Sequence, residues 1–514
     1  MSKYRTIASI ALIFALLGLS ACGGGGAAPT LKVEPQATVF TAGDAGSYFT
    51  AILSGSSETV HWSLSPALGT LSRTSGVSVK YTPPAALPSA QTVTLTASAG
   101  SLSATSTLTL NPKTVDVTGV VIANDGRPRS GVRVLIPGHP LVTSAADGSF
   151  SVSDVALPYQ AIIEEDQAAK EYTLYDGVTR PDPTLYFATT PTVPAGNAHI
   201  LGALNHSTAS RKIGVDFVSK NALGAYILNS GSGTSTSYNL GVGFNDLSAS
   251  GKLYALEWST DSAHNAKDFT AFGYSDDMVL SAGDSISKDL DLSATTSSGH
   301  DFHPVITILG GMTLQKVTAT VRFDDDSLLG MTTAYTVSQS PTLRSPDIAG
   351  AKMTVLALVS TSPSVMSAAW RSVDASETSM SLEVPAPPQL SEPSDGASGV
   401  SAGSEFSWQT IEQVINVFLL SDGPVSLRVY TTGSSLTLPD LSPFSVSYGA
   451  NETYHWSVIS ASMPRLLAPN IDAMLDERQI QPLLMAMYTF LGGMPVGDQG
   501  LIISSERRSF TTPN

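Results

Sequence analysis

Five consecutive residues, Gly399-Val400-Ser401-Ala402-Gly403, have the G-x-S-x-G spacing in which a serine attacks an acyl carbon. That chemistry needs a strained turn between a buried strand and a helix, beside backbone N–H groups that hold the developing oxyanion. Here Pro, Ser and Gly surround the motif and no helical pattern directly follows it, so no catalysis is expected from Ser401. His300 and His303 are two imidazoles close enough in sequence to suggest a metal. Zinc takes three or four ligands. The β-like run after Pro304 makes this pair the start of a strand, where residues three apart point to opposite sides. A solvated loop is the plainer expectation. Asp324-Asp325-Asp326 and Asp276-Asp277 group carboxylates near strand ends. Calcium is the ion such loops would take, although no D-x-D-x-D-G loop is present, and aspartates closing hairpins are the alternative. There is no P-loop, no dinucleotide-binding glycine pattern and no H-E-x-x-H, so no cofactor is expected beyond that calcium. Paired glycosidase carboxylates are defined by separation in space and leave no sequence spacing.

A second set of side chains suits binding. Trp258, Phe269, Phe272, Tyr274 and Trp370 are candidates for an aromatic platform under a carbohydrate, though their apolar surroundings suit a core. Ile480, Leu484, Met487 and Leu491 recur at helical spacing, Pro482 suits a first turn, and Gly492-Gly493 would end the helix. Met474, Met485, Met487 and Met494 make this segment methionine-rich. Such a surface adapts to varied partners, so Met485 and Met487 join the ligand candidates. Packing on the helix's own sandwich is the plainer reading.

The elements that must position these groups are strands. Alternation at Val60-Trp62-Leu64, Val77-Val79-Tyr81, Ile213-Val215-Phe217, Val317-Ala319-Val321-Phe323 and Met353-Val355-Ala357-Val359, punctuated by Gly, Pro, Ser and Asp, predicts an all-β chain of tandem β-sandwich modules. A short helical insertion is expected in the C-terminal module. Only 14% of residues are charged and the formal net charge is −16. Nucleic acid is therefore excluded as a partner, because both would be acidic.

The amino terminus decides where the protein should live. Lys3 and Arg5 precede an apolar run at 7–19, then come Leu19-Ser20-Ala21-Cys22 and four glycines. Cys22 is the only cysteine, so no intrachain disulfide can form. The run falls short of the ~20 residues a spanning helix needs and reads as a signal core. The stretch resembles bacterial lipoprotein signal peptides. That resemblance implies cleavage between Ala21 and Cys22, a thioether-linked diacylglycerol on the sulfur, and usually a third acyl chain, such as palmitate, on the new amino group. Two or three chains give a stable membrane anchor where one does not. Gly23 resembles the residue that sends such proteins to the outer membrane in a host with two membranes.

Family likeness divides the mature chain further. Residues 22–30 are a flexible tether. The pattern VHWSLSPALGTLSRTSGVSVKYTPPA followed by TVTLTASAGSLSATSTLTL, within 31–111, resembles bacterial Ig-like repeats. VTGVVIANDGRPRSGVRVLIPG and TSAADGSFSVSDVALPY, within 114–187, resemble carboxypeptidase regulatory-like (transthyretin-like) domains. Residues 188–387 read as a larger antiparallel β-domain of no recognised family. A linker is expected at 388–403. FSWQT, VSLRVYTTGSSLTLPDLSPF and TYHWSVISAS, within 404–514, resemble a fibronectin type III-like domain, with the helical insertion at about 463–497. These likenesses imply a surface binding, adhesion or scaffolding protein without catalysis, held to a membrane through Cys22 and facing a protein or polysaccharide ligand. The alternative is a carbohydrate-binding or carbohydrate-cleaving protein with its site in 188–387.

Overall fold

The computed structural model describes residues 28–87, 89–123, 127–187, 196–205, 211–219, 222–223, 225–228, 237–244, 248–292, 299–323, 330–362, 365–462, 470–475 and 498–514. The expectations for Ala21, Cys22, Asp324, Asp325, Asp326, Met485 and Met487 lie outside these residues, as does most of the expected helical insertion. The fold is all-β, as expected. The chain divides into two compact units, Met1–Lys113 and Thr114–Asn514.

The first unit is a sandwich of two four-stranded sheets. One sheet orders Thr30–Glu34, Ser47–Ser54, Ser78–Thr82 and Thr70–Leu71; the other orders Ala37–Thr41, Leu102–Asn111, Gln91–Ala99 and His61–Ser65. Alternate residues of Gln91–Ala99 point inward, and Val93, Leu95 and Ala97 meet Phe49, Val79 and Tyr81 in one core. Trp62 is buried there, and its indole N–H donates to the Gly76 carbonyl at 2.7 Å. A half-polar strand with a period of two is what a sheet with one wet face requires.

The second unit is organised by a 14-stranded sheet. From Val142–Thr143 and Arg133–Leu135 it runs through Tyr159–Asp166 and Glu171–Val178, crosses to Ser426–Thr431, Ile415–Ser421 and Thr453–Ser462, then continues through Gln499–Ser504, Val365–Asp374, Ala351–Ser362 and Thr313–Phe323 to Met331–Thr336. Three smaller three-stranded sheets supply cover. Val117, Val121, Phe150 and Leu185 pack on one face against Ile163, Tyr175 and Tyr430. Leu390, Phe406 and Trp408 pack on the other against Ile162, Leu174, Phe418 and Trp456. Phe302, Ile306 and Leu382 cover the far end, over Met353, Val355 and Ala357. Two five-stranded sheets enclose a further core of their own around Ile200, Val215, Phe217, Leu240 and Leu253.

This arrangement changes two expectations. The modules expected at 114–187, 188–387 and 404–514 are not separate beads, because their strands share one sheet. The seam is the parallel pairing of Glu171–Val178 with Ser426–Thr431, where Tyr175 lies opposite Tyr430. Their rings stack at 5.4 Å and 10°, and the Thr431 hydroxyl donates to Asp176 at 2.9 Å. The stretch 388–403 is not a free linker. Gln389–Glu392 pairs with Glu405–Gln409, Ala397–Ser398 pairs with Arg508–Thr511, and Leu390 and Val400 are core residues. Of the expected helical segment, the described residues hold Ile471–Met474. Its Asn470 cap accepts from the Asp472 amide, and Met474 is buried against the first of these cores.

Candidate functional site

Four aromatic rings gather at one rim of the second unit. Strands Ser248–Thr260 and Ala266–Tyr274 are antiparallel, with Tyr254 opposite Tyr274 and Leu256 opposite Phe272. Cross-strand partners share a face, and so do residues two apart. Tyr254, Phe272 and Tyr274 therefore lie together, with Phe323 reaching them from the long sheet. Tyr254 and Phe323 stack at 4.9 Å and 3°. Phe272 lies 5.0 Å from Phe323, and Tyr274 lies 5.9 Å from Phe272 and 6.1 Å from Tyr254. The group grades from core to solvent: Phe323 is 2% exposed, Tyr254 and Phe272 are half-buried, and Tyr274 is 64% exposed.

The chain beyond Tyr274 turns polar. The Ser275 hydroxyl accepts from the Leu253 amide at 3.0 Å and donates to the Asp276 carbonyl at 2.7 Å. Asp276 and Asp277 follow in the exposed turn after Tyr274, with Lys252 3.7 Å from Asp277. Ring faces offer apolar area to the C–H face of a sugar, and carboxylates accept its hydroxyl protons.

Most of the expected platform is elsewhere. Trp258 is 1% exposed and Trp370 3% exposed, so neither presents a face to a ligand. Trp258 fills the core with Val317 and Met353. Trp370 lies across the strand from Gly500, where an added Cβ would come within 2.4 Å of its ring. Phe269 is buried beside Trp258. Tyr274 alone of the aromatic candidates is well exposed. Tyr254 and Phe323 were missed, because only strand pairing and layer stacking bring them to Tyr274. The available signal was Tyr254, an aromatic one turn of alternation before Leu256.

The histidines part as the strand geometry requires. His300–Ile308 is a strand; His303 is exposed on one side of it, and the His300 ring is held by the protein on the other. His300 Nδ1 lies 2.7 Å from Asp347 Oδ1, and Nε2 lies 3.0 Å from the Glu377 carbonyl. Both His300 nitrogens thus face acceptors of the protein itself. Among the described residues no group of three or more His, Cys, Asp or Glu side chains is placed to hold an ion. Ser401 sits in a turn without a helix behind it, its hydroxyl directed to the Ala402 carbonyl at 3.3 Å.

Other polar groups inside the unit serve structure. Arg133 makes a two-pronged contact with buried Glu164, which also accepts from Tyr172 at 3.3 Å. Burial, and then the Glu164 charge, push the Tyr172 hydroxyl up to about 12. Asp498 lies 3.3 Å from Arg322 and 3.0 Å from Lys352. A cleft of about 580 Å³ opens beside Leu201, Asn239, Ser287 and Asp289. Its one carboxylate, Asp289, already takes the Ala203 amide at 2.7 Å, so the lining holds no carboxylate pair.

No family model matches the chain, and no curated protein matches it. Among solved structures, the Bacteroides ovatus mixed-linkage glucan utilization locus protein SGBP-B, in complex with a heptasaccharide, aligns at 12% identity. Its TM-score is 0.13, over 62% of this chain and 92% of that one. The four N-terminal Ig domains of Dscam1 isoform 6.9 align at 10% identity and TM-score 0.12, over 84% and 95%. The I9–I11 tandem of titin aligns at 10% and 0.14, over 70% and 100%. At these identities and scores nothing about a ligand passes from those proteins to this one.

Proposed function

We propose that the chain is a lipid-anchored, extracytoplasmic protein that binds or scaffolds at a bacterial surface, on the outer membrane where the host has two. The carrying observation is Cys22, the sole thiol, set directly behind Leu19-Ser20-Ala21 and an apolar run too short to span. The mature chain would begin at Cys22 and be held by the acyl chains on that residue. The extensive sheet beyond Thr114 supports a rigid body suited to scaffolding. The test is Cys22→Ser, which is expected to move the protein from the membrane fraction to the soluble one and to remove the lipid mass. Continued membrane partitioning of that variant refutes the anchor.

The rim formed by Tyr254, Phe272, Phe323 and Tyr274 favours a second reading, in which the ligand is a carbohydrate. An exposed ring followed in the chain by Asp276 and Asp277 offers a stacking face and nearby hydroxyl acceptors in sequence. Tyr274→Ala is expected to weaken binding to a polysaccharide panel about tenfold, the effect of losing an aromatic contact of about 1–1.5 kcal/mol. Equal retention by both proteins rules out this face as the binding site.

A further inference from the structure

His300 opens its strand at a place where three segments meet. The Asp347 carboxylate faces Nδ1 at 2.7 Å and the Glu377 carbonyl faces Nε2 at 3.0 Å. An ionised carboxylate and a backbone carbonyl both accept and neither donates. A neutral imidazole carries one N–H and can satisfy one of them; the imidazolium satisfies both. We propose that His300 is a proton-operated clasp, which when charged ties the turn 374–378 and the loop at Asp347 to the start of strand His300–Ile308.

Which tie is lost on deprotonation follows from the partners. The bond to a carboxylate is the stronger, being charge-assisted, so the remaining proton stays on Nδ1. Nε2 then turns a lone pair toward the Glu377 carbonyl, and the turn is released at that point. Other bonds keep the opening local: the Ser345 hydroxyl donates to the Ala375 carbonyl at 2.6 Å, and the His303 amide donates to the Thr378 carbonyl at 2.8 Å.

The surrounding charges oppose one another. Asp347 favours the imidazolium and Arg344, on the neighbouring strand Leu343–Ser345, disfavours it. Arg344 is itself engaged by Asp301 at 2.8 Å, by the Gly299 carbonyl at 2.7 Å and by Asp268 at 3.9 Å. Asp374 and Glu377 add carboxylates on the turn. The bond His300 donates to the Glu377 carbonyl, followed by Asp347, outweighs burial and Arg344, so His300 holds its proton above the ordinary value of 6.5. A group raised on folding stabilises fully below its unfolded value and loses that contribution as pH rises through its folded one. The clasp is therefore closed in acid and opens as pH rises through that raised value.

Hydrogen exchange of the full chain, read on peptides covering 374–380 and corrected for intrinsic rates, tests this at about pH 5.5 and about pH 8.5. Protection in the wild type is expected to fall roughly three- to tenfold at the higher pH. His300→Gln is expected to abolish that dependence. Asp347→Asn, which keeps an acceptor oxygen without the charge, is expected to move the change to lower pH. Equal protection at both pH values in the wild type, an unaltered dependence in His300→Gln, or an unmoved transition in Asp347→Asn each overturns the clasp.

Discussion

The sandwich of residues 30–111 and the sheet-sharing sandwiches beyond Thr114 bury their strands in opposite ways. In the first, Gln91–Ala99 alternates, with one face packed and one wet. In the second, Tyr159–Asp166 is buried almost without interruption, because Ile163 faces one core and Ile162 the other. Ala351–Ser362 does the same farther along, with Val355 and Leu356 in different cores. A strand covered on both faces can carry apolar residues at every position. The lesson is that the period of a strand reports how many layers cover it, and that an unbroken apolar run inside a sandwich module signals a sheet extending past the module.

The largest expected effect breaks the comparison at its seam. Tyr430→Ala removes a buried ring stacked on Tyr175 and is expected to destabilise Thr114–Asn514 by about 3–5 kcal/mol. Calorimetry should show the transition of the 30–111 sandwich unmoved. Equal displacement of both transitions would mean that the two units do not unfold independently.

Alkali should sharpen the contrast. Burial first, and neighbouring carboxylates second, raise Tyr172, Tyr238 and Tyr454 from 10.0 to about 12, all in the second unit. In the first, burial raises Tyr81. Since the folded values are raised, this stabilisation is complete below pH 10.0 and declines as pH climbs toward about 12. Urea midpoints measured at about pH 8 and about pH 11 are therefore expected to fall further for 114–514 than for 30–111.

The smallest effect probes the short helix. Asp472 accepts from the Thr179 amide at 2.7 Å and the Arg180 amide at 3.0 Å, and also takes the Thr179 hydroxyl. Asp472→Ala should cost about 1 kcal/mol, since water can reach the freed groups in part. Faster hydrogen exchange confined to 178–184 is the expected reading, and a global loss would show that the contact supports more than its own corner.

Sequence and structure agree where the physics is local. Val93 and Leu95 alternate with threonines, and that alternation alone places them inward. Tyr454 and Trp456, two apart in one strand, share a face, and they meet Trp408 in one core. Trp258 and Trp370 show the limit of such reading. A tryptophan in an alternating run has a definite side of its strand, yet the sequence does not say whether that side meets another layer or water. Leu390 and Val400 show the same limit in a polar stretch, where Leu390 lies in the edge strand Gln389–Glu392 and Val400 is buried just after Ala397–Ser398.

From residues alone came the strand-rich composition, the alternating segments, the acidic charge and the lipobox-like approach to Cys22. Each depends on neighbours within a few positions, where backbone geometry and hydropathy act directly. Tertiary structure alone decided that Tyr175 would stack on Tyr430, that Tyr254 and Phe323 would join Tyr274, and that Asp347 and Glu377 would close on the two nitrogens of His300. Those choices depend on which edges pair and which layers stack, and pairing energies between distant strands leave no periodic trace in the chain.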